Sequence, residues 1–329
     1  MISKQFAATL LCGWFACCSS AYADFRPAIL KVTSAGHTAF VVGIAHASPL
    51  NPEARQPQIE TALRDSGIEV IAVEALPDID VARSGWVKVF EESQQDESSH
   101  DLPQALLDCV AKSAAKSPMY ANDRAHRWKT AHAAAALLIV EMSTELRPNY
   151  GVYLGTDFMA IMLAGALKLK VAELEQPEAS FRPYRNLPAS EIRNNIAVYC
   201  DILRDERRVG DFRSTGLSLI DNVADSNDPY RSRGLFVAFF KKFGLTNYNL
   251  ITADARNAGL TTSILELTKA HECSMAMVGQ LHLTGDNSIQ SLLKSSGAVV
   301  VATNLLLQEV KCPSKADRSS VTKQSGVNP

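Results

Sequence analysis

The sequence predicts an α/β fold in which strands from both ends of the chain form one sheet, flanked by helices and interrupted by a large helical insertion. Three observations predict it. Short apolar runs typical of buried strands occur before residue 75 and again after residue 272. A strand, a helix and a strand follow one another early in the chain, as in a β-α-β unit. Most of the sequence between the two ends has helical periodicity.

The first elements are a hairpin and the helix and strand that follow it. Residues 27–33 and 38–42 are rich in apolar and β-branched side chains and flank a turn that contains Gly36, so we expect a hairpin. Apolar residues at helical spacing predict a helix over 53–65. The apolar run 68–73 predicts the next strand, with a right-handed crossover.

The middle of the chain is predicted to be mostly helical, over about 77–168 and 188–271. Between these stretches, residues 169–174 predict another strand. A strand that ends at Val278 and a last one over 298–301 then return the chain to the sheet. The predicted helices cover residues 81–92, 102–115, 131–140, 157–167, 188–208, 210–222, 229–243, 248–271 and 288–294.

The ends of the sequence indicate export. Residues 1–23 have a positively charged start, an apolar stretch and the A-x-A site Ala21-Tyr22-Ala23, which is the pattern of a secretory signal peptide. We expect cleavage before Asp24 and a periplasmic or secreted protein without stable membrane insertion, because the apolar stretch is short. Residues 24–311 are interpreted as a single domain and 312–329 as a disordered tail.

The cysteines allow several interpretations. Export would leave Cys109, Cys200, Cys273 and Cys312 in an oxidising compartment, where four thiols permit two disulfides in three pairings. Cys273 and Cys312 flank the last strands and could be joined, but buried free thiols fit the sequence equally well. No C-x-x-C occurs among the four, which excludes a thioredoxin-like motif and a zinc knuckle.

Composition and missing motifs exclude several function classes. The chain has 33 basic and 35 acidic residues, and no basic stripe alternates with aromatic residues, so we expect no nucleic-acid partner. It contains no G-x-S-x-G, no H-E-x-x-H and no phosphate-binding glycine loop. The sequence therefore lacks the motifs that usually identify serine hydrolases and zincins.

Two apolar runs at opposite ends of the chain end in the same G-x-x-H motif. One is followed by Gly43-Ile44-Ala45-His46 and the other by Gly279-Gln280-Leu281-His282. If both runs are parallel strands of one sheet, both histidines lie at the carboxyl ends of the strands, where open α/β folds keep ligand and catalytic groups. The glycine is expected to let the backbone turn sharply there without a side chain blocking the site.

Two glutamates end further strands at the same expected edge. Glu74 and Glu175 follow the runs 68–73 and 169–174. Imidazole and carboxylate ligands together suit zinc, manganese or iron, and such an ion lowers the pKa of bound water and polarises a carbonyl. A metal-free site, with a histidine as general base and Glu74 setting its tautomer, is the alternative. Each glutamate also fits a surface or helix-capping role, and we expect His126 and His132 to face solvent.

With these motifs in this order, the sequence resembles the TraB/GumN family, which is related to the Tiki metalloproteases and more distantly to erythromycin esterase-like and ChaN-like proteins. The family opens with the strand, G-x-x-H loop, helix and glutamate-ending strand described above. Its middle has a G-x-D helix and a K-x-x-x-L-E strand, matched by Gly155-Thr156-Asp157 and by residues 170–175. Its end has an Arg-Asn pair and G-x-G-H-L, matched by Arg256-Asn257 and by residues 279–283.

The resemblance implies an exported metal-dependent hydrolase, a peptidase acting on a peptide or another small-molecule substrate with manganese, cobalt or zinc. The alternative is a non-catalytic periplasmic protein that uses the same edge to bind a metal, haem or a small ligand. The residues that it implies are His46, Glu74 and His282 as catalytic groups and metal ligands, Glu175 as a further metal ligand, and Arg256 and Asn257 as substrate-binding groups.

Two positions depart from the family pattern. Ile44 stands where the family usually has threonine, and Leu281 stands in place of the second glycine of G-x-G-H. The first change removes a hydroxyl group, and the second places a side chain where backbone usually approaches closely. Both histidines are retained, so the resemblance implies a site with altered access.

Overall fold

The structure is a computed structural model, and it describes residues 26–46, 52–75, 85, 87–90, 102–116, 127–145, 156–224 and 226–313. Four features predicted from the sequence lie wholly or largely outside these residues: the signal peptide 1–23, most of the helix 81–92, His126, and the tail beyond residue 313.

Within the described ranges, six strands form one mixed sheet, as the sequence predicts. They are β1 (Ile29–Ser34), β2 (His37–Ile44), β3 (Val70–Val73), β4 (Lys170–Glu173), β5 (Cys273–Gly279) and β6 (Val299–Thr303). Their order across the sheet is β4-β3-β5-β2-β1-β6. Strands β2 to β5 are mutually parallel, whereas β1 is antiparallel to both of its neighbours. The α/β class and the use of both ends of the chain are confirmed.

The two G-x-x-H strands lie side by side at the centre of the sheet. Every residue of β5 is buried, as is every residue of β2 after His37, which explains their nearly continuous apolar sequences. Val42 pairs with Met277, and Ile44 pairs with Gly279. The two strands therefore end at the same level.

The described helices cover the sheet and form a separate helical layer. They are α1 (Pro52–Asp65), α2 (Gln104–Ala114), α3 (Ala133–Glu145), α4 (Thr156–Ala166), α5 (Pro177–Arg185), α6 (Ala189–Leu203), α7 (Glu206–Ala224), α8 (Pro229–Phe243), α9 (Tyr248–Ala270) and α10 (Ile289–Ser295). Helix α5 is not predicted from the sequence. It begins at Pro177, whose fixed φ suits the first helical position.

Helices cover both faces of the sheet. On one face α1 and α4 pack against it, and Ile59 and Ala160 share a hydrophobic core with Met275. On the other face α9 packs through Leu260, which shares a core with Val278. Burial of these apolar faces fixes the helices relative to the strand ends, and α4 and α9 both contribute to the site described below.

The helical insertion has a hydrophobic core of its own, built from α2, α3, α6, α7 and α8. Tyr248, at the start of α9, belongs to this core, so α9 joins the insertion to the sheet. His132 also lies inside, with only 5% of its surface exposed and its ring 6.4 Å from that of Phe90. The expectation that His132 faces solvent is therefore wrong, because the helix that it precedes is buried on nearly all sides.

Two disulfides are formed, which selects one of the three pairings that the sequence allows. Cys109–Cys200 joins α2 to α6 within the helical insertion. Cys273–Cys312 joins the start of β5 to the segment after β6. None of the helices in the described ranges has both the length and the apolar character needed to cross a bilayer.

Candidate functional site

His46, Glu74 and His282 meet at the carboxyl ends of the three central parallel strands. His46 follows β2, Glu74 follows β3, and His282 lies in a short 3₁₀ turn directly after β5. Nε2 of His46 is 3.2 Å from Oε1 of Glu74, and Nε2 of His282 is 3.5 Å from the same oxygen. Because β5 lies between β2 and β3, the three side chains come from adjacent strands.

Each imidazole is held at its other nitrogen. His46 Nδ1 is 3.0 Å from Oδ2 of Asp157, at the start of α4, and His282 Nδ1 is 2.6 Å from Oδ1 of Asn257, on α9. The amide of Asn257 donates to the carbonyl of Asn287, at 2.9 Å, so its Oδ1 is the atom that accepts from His282. When the imidazoles are neutral, these bonds place the proton on Nδ1 and leave both Nε2 atoms as acceptors.

Glu74 is a buried carboxylate held by two further donors. The backbone N–H of Gly279 donates to Oε1, and Nη2 of Arg256 donates to Oε2. Burial opposes ionisation, but the charges of His282, His46 and Arg256 outweigh it and hold the pKa of Glu74 well below its usual range. Glu74 is therefore an anion at neutral pH.

His46 is the member of the cluster that solvent reaches. Its side chain is 47% exposed, against 6% for Glu74 and 4% for His282. Partial desolvation of the ring beside the cluster would lower the pKa of His46, but the charge of Glu74 and hydrogen bonds to Asp157 and Glu74 outweigh this effect and raise the pKa well above its usual value. Solvent therefore reaches the cluster on the side of His46.

The two motif glycines provide space rather than a sharp turn. Gly279 has a φ of −55°, a value that any residue adopts. A Cβ on Gly279 would lie 2.9 Å from Nε2 of His46, and a Cβ on Gly43 would lie 2.7 Å from Cδ1 of Leu283. The glycine of each motif thus packs against the turn of the other. As expected, Gly279 keeps the strand end free of a side chain, although its φ is one that any residue adopts.

Arg256 and Asn257, the expected substrate-binding pair, both contact the cluster. Arg256 joins two carboxylates, because Nη2 donates to Glu74 and to Glu175, and Nε donates to Oε2 of Glu175 at 3.2 Å. Asn257 is fully buried behind His282. Their roles toward a substrate stay predictions, and the contacts of the described residues show both as groups that position the cluster.

Glu175, which is expected to be a further metal ligand, is separated from the two histidines by Arg256. Its carboxylate accepts from Arg256 and, at 2.8 Å, from the hydroxyl of Ser180. Its hydrogen bonds and ion pairs among the described residues include neither His46 nor His282. The carboxylate of Glu175 therefore contacts the cluster through Arg256.

The 3₁₀ turn that carries His282 is anchored to α8 and α9. Arg233 donates to both carboxylate oxygens of Asp254, at 3.0 and 2.7 Å, and to the carbonyl of Thr284 at 3.2 Å. Gln280 donates to the carbonyl of Ser226 at 2.8 Å. These bonds fix the turn after β5, and with it the position of His282.

Two supporting groups were not assigned a role from the sequence. Asp157 belongs to the G-x-D motif that the sequence shares with the family. The motif marked this residue but did not show that it contacts His46. Arg233 has no motif, and only the packing of α8 against the turn after β5 reveals its function. Ile44, where the family has threonine, is buried at 1% exposure among apolar residues.

The donor atoms available to a metal are Nε2 of the two histidines and the carboxylate of Glu74. Among the residues that the structure describes, no group of three or more His, Cys, Asp or Glu side chains is arranged to hold a metal ion. Glu74 instead contacts both imidazoles directly.

The sequence matches the TraB/PrgY/gumN family over residues 28–302. The chain belongs to this family. The match covers strands β1 to β5, all but the last residue of β6, and the three clustered residues, so the strand ends that form the cluster lie within the matched region. No curated protein matches the chain.

Proposed function

We propose that this member of the TraB/PrgY/gumN family is an exported metal-dependent hydrolase. Its active site, formed by His46, Glu74 and His282, would cleave peptide bonds in a substrate. One observation carries the proposal: both Nε2 atoms approach a single oxygen of Glu74. When both imidazoles are neutral, each Nε2 is an acceptor that faces an anion, and a metal cation can take the place of the proton that otherwise lies between them. Nε2–Oε1 distances of 3.2 and 3.5 Å are close to the ~3.3 Å between two ligands of a tetrahedral zinc ion.

The chain's own groups prepare this site. Asp157 and Asn257 keep both Nε2 atoms directed inward, which is the usual outer support of metal-bound histidines. Arg256 and the N–H of Gly279 keep Glu74 ionised. A divalent ion held by His46, His282 and Glu74 would supply a water of lowered pKa and a polarised carbonyl. Manganese, cobalt and zinc all accept this ligand set.

Export is supported by the disulfides as well as by the signal-like residues 1–23. Two disulfides persist in oxidising compartments and are rare in reducing ones. Cys109–Cys200 and Cys273–Cys312 together use all four cysteines that follow residue 23. These disulfides support a location in the periplasm or outside the cell.

A non-catalytic binding protein is the second candidate, and one observation favours it. Arg256 and Gly279 already donate to Glu74, so its carboxylate has less freedom to move a proton than an unpaired general base has. In this case the same residues would hold a metal or a small ligand without turnover.

Metal binding and peptide cleavage by the purified protein test both candidates. We expect one manganese, cobalt or zinc ion per chain by calorimetry, and metal-dependent cleavage of a peptide library followed by mass spectrometry. His46→Ala and His282→Ala should abolish both. His271→Ala is the matched control, because His271 pairs with Glu69 at 3.6 Å at the opposite, amino-terminal ends of the strands.

The outcomes separate the candidates. Metal binding without cleavage of any library peptide favours the binding protein. Metal affinity unchanged in both His46→Ala and His282→Ala would show that the ion binds elsewhere. Absence of metal binding and of cleavage in the unaltered protein would refute the hydrolase.

A further inference from the structure

A groove opens beside the site, between α5 and α9 at the carboxyl end of β4. Its volume is about 590 Å³, within the ~300–1,000 Å³ of small-ligand sites. Glu175 and Arg256 both line it, and Arg256 also donates to Glu74. The groove therefore adjoins the histidine cluster through a single side chain.

Small residues on α9 keep the groove open. Ala255, Gly259 and Ser263 lie one turn apart on the same side of the helix, and all three line the groove. A Cβ on Gly259 would meet no atom within 4 Å. Larger side chains at these positions would fill the groove. We expect them to leave the helix folded but to reduce the volume of the groove.

The groove presents guanidinium groups from both of its helical walls. Arg182 lies on α5 and Arg256 on α9. Arg256 donates from Nε to Glu175 and from Nη2 to both Glu74 and Glu175. The guanidinium of Arg182 forms no hydrogen bond or ion pair with any residue in the described ranges, and Glu178, one turn before it, acts on it only through its charge.

The two carboxylates that line the groove, Glu175 and Glu173, form no ion pair with Arg182. Glu175 is held by Arg256, as described above. Glu173 also lines the groove and has contacts of its own. A planar guanidinium without a carboxylate partner matches a ligand carboxylate in a two-pronged hydrogen bond. Gln176 and Asn186 add amide groups that suit a peptide backbone.

We propose that this groove binds the part of a peptide substrate on one side of the scissile bond, and that Arg182 recognises a carboxylate carried by that part. The carboxylate comes from an acidic side chain or from the peptide's C-terminus. The proposal rests on the hydrolase function proposed above, since it names the kind of substrate that the same site would take.

Peptide binding without turnover tests the groove. The probes are fluorescein-labelled alanine hexapeptides of three kinds: an internal glutamate with an amidated C-terminus, no glutamate with a free C-terminus, and neither carboxylate. Fluorescence anisotropy is measured with the His46→Ala protein, in which the exposed imidazole is removed and cleavage is not expected. We expect one of the carboxylate peptides to bind at least tenfold more tightly than the neutral one, which also identifies the source.

Three variants in this background locate the binding. Arg182→Gln should remove the preference for the carboxylate peptide, and Gly259→Leu should weaken binding of all peptides at least tenfold. Gly234→Leu is the matched control. Gly234 is also an exposed glycine within a helix, and a Cβ added to it would meet no atom within 4 Å. It should leave every affinity unchanged.

The groove and the hydrolase fail in different ways. Equal affinity for charged and neutral peptides, or affinities unaffected by both Arg182→Gln and Gly259→Leu, would overturn the groove proposal even if the unaltered protein cleaves peptides. Selective binding abolished by these variants would support the groove even if the unaltered protein cleaves nothing, in which case only the hydrolase is refuted.

Discussion

Gly279 lies so close to the imidazole of His46 that a Cβ at this position would be 2.9 Å from Nε2. A Gly279→Ala change must therefore displace an atom, and the half-exposed His46 is the group that can move. We expect zinc affinity to fall at least tenfold, as in other sites with disturbed ligand support. The free energy of unfolding should change by less than about 1 kcal/mol. Titration calorimetry and urea unfolding measure the two quantities.

Gly210→Ala is the control for this change. Gly210 lies in α7, and its Cβ would meet nothing within 4 Å. Alanine there should stabilise the protein by up to about 1 kcal/mol and leave zinc affinity unchanged. Normal zinc affinity in Gly279→Ala would show that His46 needs no such close approach.

Asp157 is expected to position His46 for metal binding. Asp157→Ala removes the acceptor at His46 Nδ1 and should lower metal affinity about 10- to 100-fold, the usual effect of losing such a partner. Asp157→Asn keeps an acceptor oxygen of the same reach and should restore most of the affinity. Calorimetry with manganese and zinc checks both. Equal losses in the two variants would mean that Asp157 acts through its charge and not through its hydrogen bond.

Glu141 makes the stability of the helical insertion depend on pH. It is 7% exposed in α3, where burial raises the pKa of its carboxyl despite hydrogen bonds from Asn249 and Tyr248. Between its ordinary pKa of 4.5 and the raised pKa, the folded protein holds a proton that the unfolded chain has lost. The free energy of unfolding therefore falls as pH rises through this window.

Glu141→Gln should remove this pH dependence. Compared with the unaltered protein, the variant should gain stability as pH rises from 4 to 8, in urea unfolding. Glu178→Gln is a control of opposite sign, because a hydrogen bond from Lys88 lowers the pKa of Glu178. Its effect should be small, since the pair lies at the surface. A constant difference between Glu141→Gln and the unaltered protein across this pH range would refute the prediction.

The two disulfides should contribute unequally to stability. Removing either by a double Cys→Ala change should cost roughly 2–4 kcal/mol. Cys109–Cys200 closes a sequence separation of 91 residues and Cys273–Cys312 one of 39. Because each doubling of a loop adds about 0.6 kcal/mol of closure entropy, loss of the first should cost about 0.7 kcal/mol more. Urea unfolding of the two double variants compares them, and the reverse order would point to contributions from packing.

The strands and the three clustered residues could be predicted from the sequence because each depends on a local signal. The strands are continuous apolar runs, and His46, Glu74 and His282 each follow one. Parallel strands end at one edge of a sheet, so a linear pattern was enough to place these groups together. The repeated G-x-x-H motif distinguished His46 and His282 from the other histidines, and the family resemblance supported the same choice.

What could not be predicted depends on packing between distant segments. Asp157 reaches His46 only because α4 packs on α1 beneath the sheet, and Arg233 reaches Thr284 only because α8 lies against the turn after β5. The role of Gly279 is set by a neighbour more than two hundred residues away in the chain. Disulfide pairing likewise depends on which helices are adjacent, and no pattern of cysteine spacing encodes that.

The position of β5 determines the order in which the protein can be completed. This strand lies between β2 and β3, yet it is made after more than 270 residues of the chain. Until it emerges, the early strands have no central neighbour, and Glu74 lacks both Gly279 and His282. A chain still being synthesised therefore contains no assembled cluster. Any activity of this cluster would begin only after residue 282 has left the ribosome.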